Sequence, residues 1–260
     1  HGIRPWLMVS LSDGKDVHFR KAKFDPKQCP SNCPRPCQKI CPTQAINTKK
    51  GVLNSKCYGC GRCLPVCPLG LISEEHKNLS INDFGLLIKS ILPDAVEIHT
   101  APDRAKSFNK TVKALVQEDL NLKRIAVSCG IEGHDLNPEK LSKELWERHA
   151  CLCKYGQKAI WQLDGRPMSG DIGVGTARIA VSLWQKILPI APPGPLQLAG
   201  GTNAQTIEFF KNQKRPEGIA FGGMARKLIQ PFVFEAQKRH ISFREWPERW
   251  DEALQKAKNL

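Results

Sequence analysis

Apolar and polar positions change rhythm along this chain. From about residue 76 onward, short apolar runs bounded by polar residues alternate with longer stretches whose apolar positions recur at helical spacing. The runs are 95–100 (AVEIHT), 124–129 (RIAVSC), 159–164 (AIWQLD), 196–200 (LQLAG) and 218–223 (GIAFGG), and each predicts a strand. The stretches between them predict helices near 81–92, 103–119, 138–149, 174–188, 203–213 and 224–239. Asn137-Pro138-Glu139 supplies an N-cap candidate with proline at the first helical position, and Trp246-Pro247-Glu248 predicts a last helix over 247–258 by the same logic. Pro231 is expected to kink or split the helix that holds it. A further strand is expected over 6–11 (WLMVSL), ended by the turn residues Ser12-Asp13-Gly14. Between that strand and residue 76 the helical rhythm is missing. Strands separated by helices imply βα units and a parallel sheet, which makes this an α/β chain.

Parallel sheets gather their functional loops at the C-terminal ends of the strands. In this sequence those ends are polar. Two-residue alternation puts Glu97 and His99 on one face of their strand, and Gln162 and Asp164 on one face of theirs, with Gln197 in the next strand and Cys129 nearby. Such a set is either a ligand or acid–base site, with His99, Cys129, Asp164 and the neighbouring Arg166 as candidates, or a self-satisfied polar layer. Gly200-Gly201 and Gly222-Gly223 close the last two strands directly before helices. They suit a phosphate or flavin (FMN) cradle, with Arg226 as counter-charge, or simply tight βα turns. The segment 164–173 packs two aspartates, one arginine and three glycines between a strand and a helix, a composition expected of a ligand loop.

Composition narrows the classes. With 260 residues and 41% hydrophobic content the chain can bury a sizeable core. No stretch approaches the ~20 apolar residues of a membrane span. The opening His1-Gly2-Ile3-Arg4-Pro5 leads straight into strand-like sequence, so no secretory signal is expected. The formal charge of +14 is spread among acidic residues, with its longest run at Lys49-Lys50 and single basic residues around Arg20, Lys21 and Lys23, and no pattern of interleaved aromatic and basic residues marks a nucleic-acid surface. Nucleic acid is therefore not the expected partner.

Chemistry concentrates in the segment without helical rhythm. Eight of the eleven cysteines form two rows, Cys29-x3-Cys33-x3-Cys37-x3-Cys41-Pro and Cys57-x2-Cys60-x2-Cys63-x3-Cys67-Pro. The second row is the bacterial ferredoxin spacing, and the first is the same with two gaps widened by one residue. Three thiolates from one tight loop and a fourth from elsewhere suit an iron–sulfur cubane, and the proline after the fourth turns the chain away. Because the fourth cysteine of each row ligates the other cluster in two-cluster folds, Cys29, Cys33, Cys37 and Cys67 are assigned to one site. Cys41, Cys57, Cys60 and Cys63 are assigned to the other. Gly59 and Gly61 are expected to let the backbone wrap closely there. Zinc would favour two spaced Cys-x2-Cys units or histidines, and a disulfide framework would not need twinned rows ending in Cys-Pro. Both sites are expected to hold [4Fe–4S], with [3Fe–4S] left open at one. Two such clusters bound by eight thiolates would lower the net charge to about +10. Thiolate ligands and three unpaired cysteines imply a reducing compartment. His149-x-Cys151-x-Cys153 offers too few ligands for a third metal and reads as a helix end with buried cysteines.

RPWLMVSLSDG, the two cysteine rows, DAVEIHT, QLDGRPMSGDIGVGTARIA, LQLAGGTNAQT and GIAFGGMARK together resemble the light-dependent period protein A family of oxygenic phototrophs. The resemblance implies an iron–sulfur protein of redox sensing or electron transfer, tied to photosynthetic state and to light input to a circadian clock. It implies a redox, clock or photosynthetic partner protein, and a plastid stroma or the cytoplasm of a photosynthetic prokaryote. It also implies a TIM-type (β/α) barrel of which this chain lacks the first two βα units, divided as a barrel strand (1–14), a two-cluster ferredoxin-like module (15–75) and the remaining barrel (76–260). Flavin-dependent dihydroorotate- and dihydrouridine-type barrels are a fainter resemblance. The functions to separate are a redox carrier or sensor, an oxidoreductase whose clusters feed a flavin, and an assembly subunit with structural clusters.

Overall fold

The computed structural model describes residues 4–16, 20–76, 81–130, 137–165, 173–210 and 214–259, with the backbone alone for 81–83. The chain opens on strand β1 (Met8–Ser12) and leaves it for the cysteine-rich segment. There β2 (Arg20–Lys23), helix α1 (Pro36–Ile40), β3 (Ile46–Asn47), β4 (Gly51–Val52), α2 (Cys63–Val66) and β5 (Ser73–His76) follow in order. β2 pairs antiparallel with β5, and β3 with β4. Ala22, Cys37, Ile46, Cys63 and Ile72 form the small core of this module. The charged stretch ahead of the first cysteine row thus contains a strand. β2 reads RKAK and β5 reads SEEH, so their pairing rests on backbone bonds and opposite charge rather than on apolar alternation.

The chain then returns through α3 (Ile81–Ile91) to β6 (Ala95–His99), which pairs parallel with β1 in the register Met8↔Ala95 to Ser12↔His99. The module is therefore inserted between two neighbouring strands. Helix α4 (Ala105–Gln117), β7 (Arg124–Gly130), α5 (Pro138–Lys154), β8 (Ala159–Asp164), α6 (Ala177–Ile187), β9 (Leu196–Ala199), β10 (Gly218–Ile219), α7 (Gly223–Lys238) and α8 (Pro247–Ala257) complete it. The six-stranded sheet has the order β1-β6-β7-β8-β9-β10, and every pair in it is parallel.

Sequential order with right-handed crossovers places successive helices on one face, and α3, α4, α5 and α6 indeed pack each on the next. Val96, Ile98, Ile125, Val127, Trp161 and Leu163 point to those helices and meet Phe108, Leu115, Leu145 and Trp184 in one core. Each of these side chains contributes roughly 1.5–3 kcal/mol by leaving water. The two tryptophans are core residues whose ring N–H groups are satisfied, Trp161 by the Pro193 carbonyl at 3.0 Å and Trp184 by that of Leu196 at 3.3 Å. The opposite face carries a polar row in register, Ser12, His99, Ser128, Gln162 and Gln197.

Among the described residues β1 and β10 stand at opposite ends of the strand order, so the α/β sheet is open and no barrel closes. The expected helix over 203–213 is instead a five-residue 3-10 turn, Thr206–Phe210, and 211–213 lie outside the described residues. Asn203 explains the shortening: its side chain accepts from the Gln205 N–H at 3.0 Å while the Asn203 N–H donates to the Thr206 hydroxyl at 2.9 Å. The last strand shrinks from 218–223 to Gly218–Ile219. Helix α7 runs through Pro231 without splitting; the ring removes only the N–H that would meet the Lys227 carbonyl. Helix α5 outlasts its expected end by five residues, and Cys153 is exposed on it rather than buried, with its sulfur 3.5 Å from His149 Nε2.

Candidate metal centres

The two Cys-Pro steps are built alike. Cys41 ends α1 at φ −71°, ψ 110°, and Cys67 ends α2 at φ −74°, ψ 112°, the extended backbone that a following proline enforces. Three residues on, Gln44 (φ 53°) and Gly70 (φ 62°) are both left-handed, and their N–H groups reach the cysteine carbonyls at 3.2 and 3.1 Å. One residue further, the Ala45 N–H donates to Cys41 Sγ at 3.2 Å and the Leu71 N–H to Cys67 Sγ at 3.4 Å. This local repeat lies in backbone angles rather than in residue identity. Glutamine in one copy and glycine in the other hid it from the sequence.

The eight sulfurs are distributed around two cavities. One, of about 310 Å³ with its open space, is lined by Cys29, Cys33, Cys37 and Cys67 together with Phe24, Leu71 and Ile72. The other, of about 440 Å³ on the same measure, is lined by Cys41, Cys57, Cys60 and Cys63 with Ile46, Val52 and Tyr58. All eight are free thiols, so no disulfide framework is present. Among the described residues no three His, Cys, Asp or Glu side chains close on a single metal ion. Sulfurs spread around a cavity fit a multi-iron core, whereas one zinc needs ligands about 2.3 Å from a point.

The thiols also disfavour one another's ionisation. Burial pushes Cys63 up to about 11, helped by the neighbouring Cys60, Cys57 and Cys41. Cys37 is raised by burial, then by Cys67, Cys29 and Cys33, in spite of a bond from the Gln38 N–H. Cys67 moves the other way: burial opposes its thiolate, but N–H groups of Leu69, Leu71, Ile72 and Gly70 outweigh it. A donor set of this kind calls for a cationic core to hold all four thiolates at once.

The Cys57–Cys63 loop is held from outside by β2. Arg20 Nε donates to the Gly59 carbonyl at 3.0 Å and its Nη1 to Glu74 at 2.8 Å, while Lys21 Nζ donates to the Cys57 carbonyl. Gly59 and Gly61 are left-handed (φ +81° and +73°), and a Cβ on them would lie 2.2 Å from the Arg20 carbonyl oxygen and 2.0 Å from its guanidinium. Their role is therefore close approach of Arg20, in addition to tight wrapping of the loop. On the other side of the loop, the Arg226 guanidinium lies 4.4 Å over the Tyr58 ring, and Gln230 Nε2 donates to the Pro42 carbonyl at 2.5 Å.

The polar strand ends form a single bonded set. His99 lies between Glu97 (Nε2 to Oε2, 3.3 Å) and Asp16 (Nδ1 to Oδ2, 3.4 Å). Burial opposes charge on the imidazole, yet those carboxylates carry its pKa up to about 10. Glu97, despite burial, is held below its usual range by His99, Ser10 and Gln162. The Ser10 hydroxyl donates to Glu97 at 2.5 Å, Gln162 donates to Glu97 and, at 3.2 Å, to Ser128. Ser128 in turn donates to Asp164 at 2.5 Å, and the Gln197 side chain to Gln162 Oε1 at 2.7 Å. Cys129 is on the helix face of its strand, where burial pushes it up to about 12. It does not share a face with the others. Arg166, and most of the loop expected as a ligand segment, lie outside the described residues.

Gly200 and Gly201 are left-handed at φ +75° and +86°, as a tight turn requires, and the Gly201 carbonyl accepts from Thr176 at 2.6 Å. Gly222 is the N-cap of α7 at φ −96° and Gly223 its first residue. The expected counter-charge, Arg226, is turned to Tyr58 of the module. Sequence reasoning missed Asp16, Arg20, Tyr58 and Gln230, which act through contacts between distant segments.

Comparison with known proteins finds matches to two segments of the chain. Residues 29–78, which include all eight cysteines, match the LdpA Fe-S cluster-binding domain, and residues 87–260 match the Light dependent period A C-terminal domain. The chain is 45% identical over 245 residues to Light dependent period A of Synechococcus elongatus, spanning 88% of this chain and 67% of that protein. No solved structure matches. The chain belongs to the Light dependent period A family.

Proposed function

We propose that this chain is a redox protein whose module holds two [4Fe–4S] clusters and exchanges or senses single electrons, in service of a light-dependent process like the one its Synechococcus relative is named for. The observation that carries the reading is the partition of the eight cysteines, four to each of two cavities, with Cys41 and Cys67 exchanged between rows. Bound clusters would supply reversible one-electron chemistry. The chain's own residues would set its terms. Backbone N–H groups to Cys67 and Cys41 favour the more negative state, and Arg20, Lys21 and Arg62 add positive charge beside the second site.

Anaerobic reconstitution tests this. Two cubanes give about eight iron and eight sulfide per chain, broad absorption near 400 nm and paramagnetic signals on reduction. One cluster, or zinc in place of iron, overturns the reading. Cys37→Ser is expected to remove the signal of the first site alone, and Cys60→Ser that of the second alone. FMN released by acid from the same preparation would favour an oxidoreductase at the strand ends instead. Partner binding indifferent to reduction would favour an assembly subunit.

A further inference from the structure

Helix α7 belongs to the sheet part of the chain, yet it holds both segments that carry the ligands of the second site. Gln230 Nε2 donates to the carbonyl of Pro42, the residue after Cys41, and Arg226 lies 4.4 Å over the ring of Tyr58, the residue after Cys57. Tyr58 lines the second cavity as well as the groove in which Arg226 stands, so it joins the two. Burial first and then Cys60, to which it is hydrogen-bonded, push the Tyr58 hydroxyl up in pKa, and Arg226 opposes them. Cation, ring and ligand sulfur thus act on one another electrostatically. The charged lining of the second cavity itself is Arg20, Arg62 and Glu74, of which Arg20 is bonded to Glu74. The first site differs. Its lining, Phe24, Pro36, Pro68, Leu69, Leu71 and Ile72 around four cysteines, holds no charged side chain and comes from the module alone. Arg35, also a module residue, is the cation that acts on its Cys29.

We propose that α7 sets the reduction potential of the second site from outside the module: Arg226, stacked on Tyr58, stabilises the reduced cluster there and leaves the first untouched. The inference deepens the redox reading above and rests on its two clusters. One electron enters the second cluster from an external one-electron donor, dithionite in the test, and no bond forms or breaks. The added negative charge spreads onto the ligand sulfurs, where a nearby guanidinium and a hydroxyl donor to Cys60 favour it. Arg226 is exposed, so water screens it. Its contribution is expected to be about three- to tenfold in the reduction equilibrium, or about 30–60 mV at about 59 mV per tenfold for one electron. The sheet part thereby gains a hold on one of two otherwise similar sites, and withdrawal of α7 from Tyr58 would lower that potential alone.

Midpoints of the reconstituted full chain, followed by paramagnetic resonance through a mediated dithionite titration, test this. The second site's signal is the one absent from Cys60→Ser. Its midpoint is expected to fall by about three- to tenfold in the reduction equilibrium in Arg226→Gln. It is also expected to fall in Tyr58→Phe, which keeps the stack and loses the hydroxyl. Arg226→Lys keeps the charge and is expected to recover most of the shift, which a merely structural role would not do. Lys227→Gln removes the next cation along α7 and is expected to move neither midpoint, whereas Arg35→Gln is expected to lower the first alone. An unmoved second midpoint in Arg226→Gln, a shift common to both midpoints, an equal shift in Lys227→Gln, or no recovery in Arg226→Lys overturns the proposal. Iron and sulfide counts on the same samples separate the failures. With two clusters bound and an unmoved midpoint, this inference falls and the redox reading stands; a single cluster or none removes both.

Discussion

In the cysteine-rich module, Cys37 and Cys63 are members of the apolar core, each 7% exposed, beside Ala22, Ile46 and Ile72. In the parallel sheet the buried polar groups keep to one face, bond each other, and leave the opposite face to Phe108, Trp161, Trp184 and their neighbours. The sheet has thus separated its two tasks, packing and polarity, onto two surfaces of the same strands. The module has fewer than about 60 residues and cannot do so, because its core and its ligands occupy the same volume. Stability in the module therefore depends on what it binds, and stability in the sheet on its side chains alone.

Removing iron should break this comparison most visibly. Anaerobic chelation is expected to unfold the module, with hydrogen-exchange protection lost across 20–76 and retained across 95–130. Uniform loss, or uniform retention, would mean the two regions are not separable in this way. Phe108→Ala is the converse probe. Phe108 is fully buried against α4's neighbours, and truncation is expected to cost about 3–5 kcal/mol in urea unfolding with iron–sulfur absorption unchanged in native buffer.

His99→Gln sharpens the electrostatic side. It leaves Glu97 and Asp16 facing a neutral group and is expected to cost about 3 kcal/mol near neutral pH. The sign follows from the raised pKa. In the wild-type chain the His99 contribution is complete below its ordinary value of 6.5 and is lost as pH rises through about 10. Glu97, held low, contributes above its ordinary 4.5 and loses that contribution as pH falls. The melting temperature should therefore decline on the alkaline limb in the wild type and flatten there in the variant. The smallest effect is expected from Gly59→Ala, about 1–3 kcal/mol confined to the module. It forces a left-handed residue with a side chain against the Arg20 carbonyl, and a faster decay of iron–sulfur absorption in air would report it.

Much of this architecture is written in local sequence. Cysteine spacing groups ligands because an iron–sulfur cluster fixes how far apart its ligand sulfurs lie, and apolar runs such as RIAVSC locate strands because burial on a parallel sheet demands them. Features that depend on long-range partners are not written there. RKAK becomes a strand because SEEH lies opposite. Arg226 leaves the strand-end turns because Tyr58 offers it a ring. The turn after Gly201 stays short because Asn203 and Thr206 bind its backbone before a helix can form. His99 was legible as a polar strand end, but its protonation depends on Asp16, which arrives from the far side of β1.

The insertion of the module between β1 and β6 has a consequence for how the chain comes to its fold. β6 to β10 are joined by short βα crossovers, so their pairings close modest loops, while Ser10 meets Glu97 across 87 positions. Closing that large loop is entropically easier once the intervening chain has collapsed around its ligands. Pairing of β1 should then be the late step of folding, and its rate should report how fast the module acquires iron.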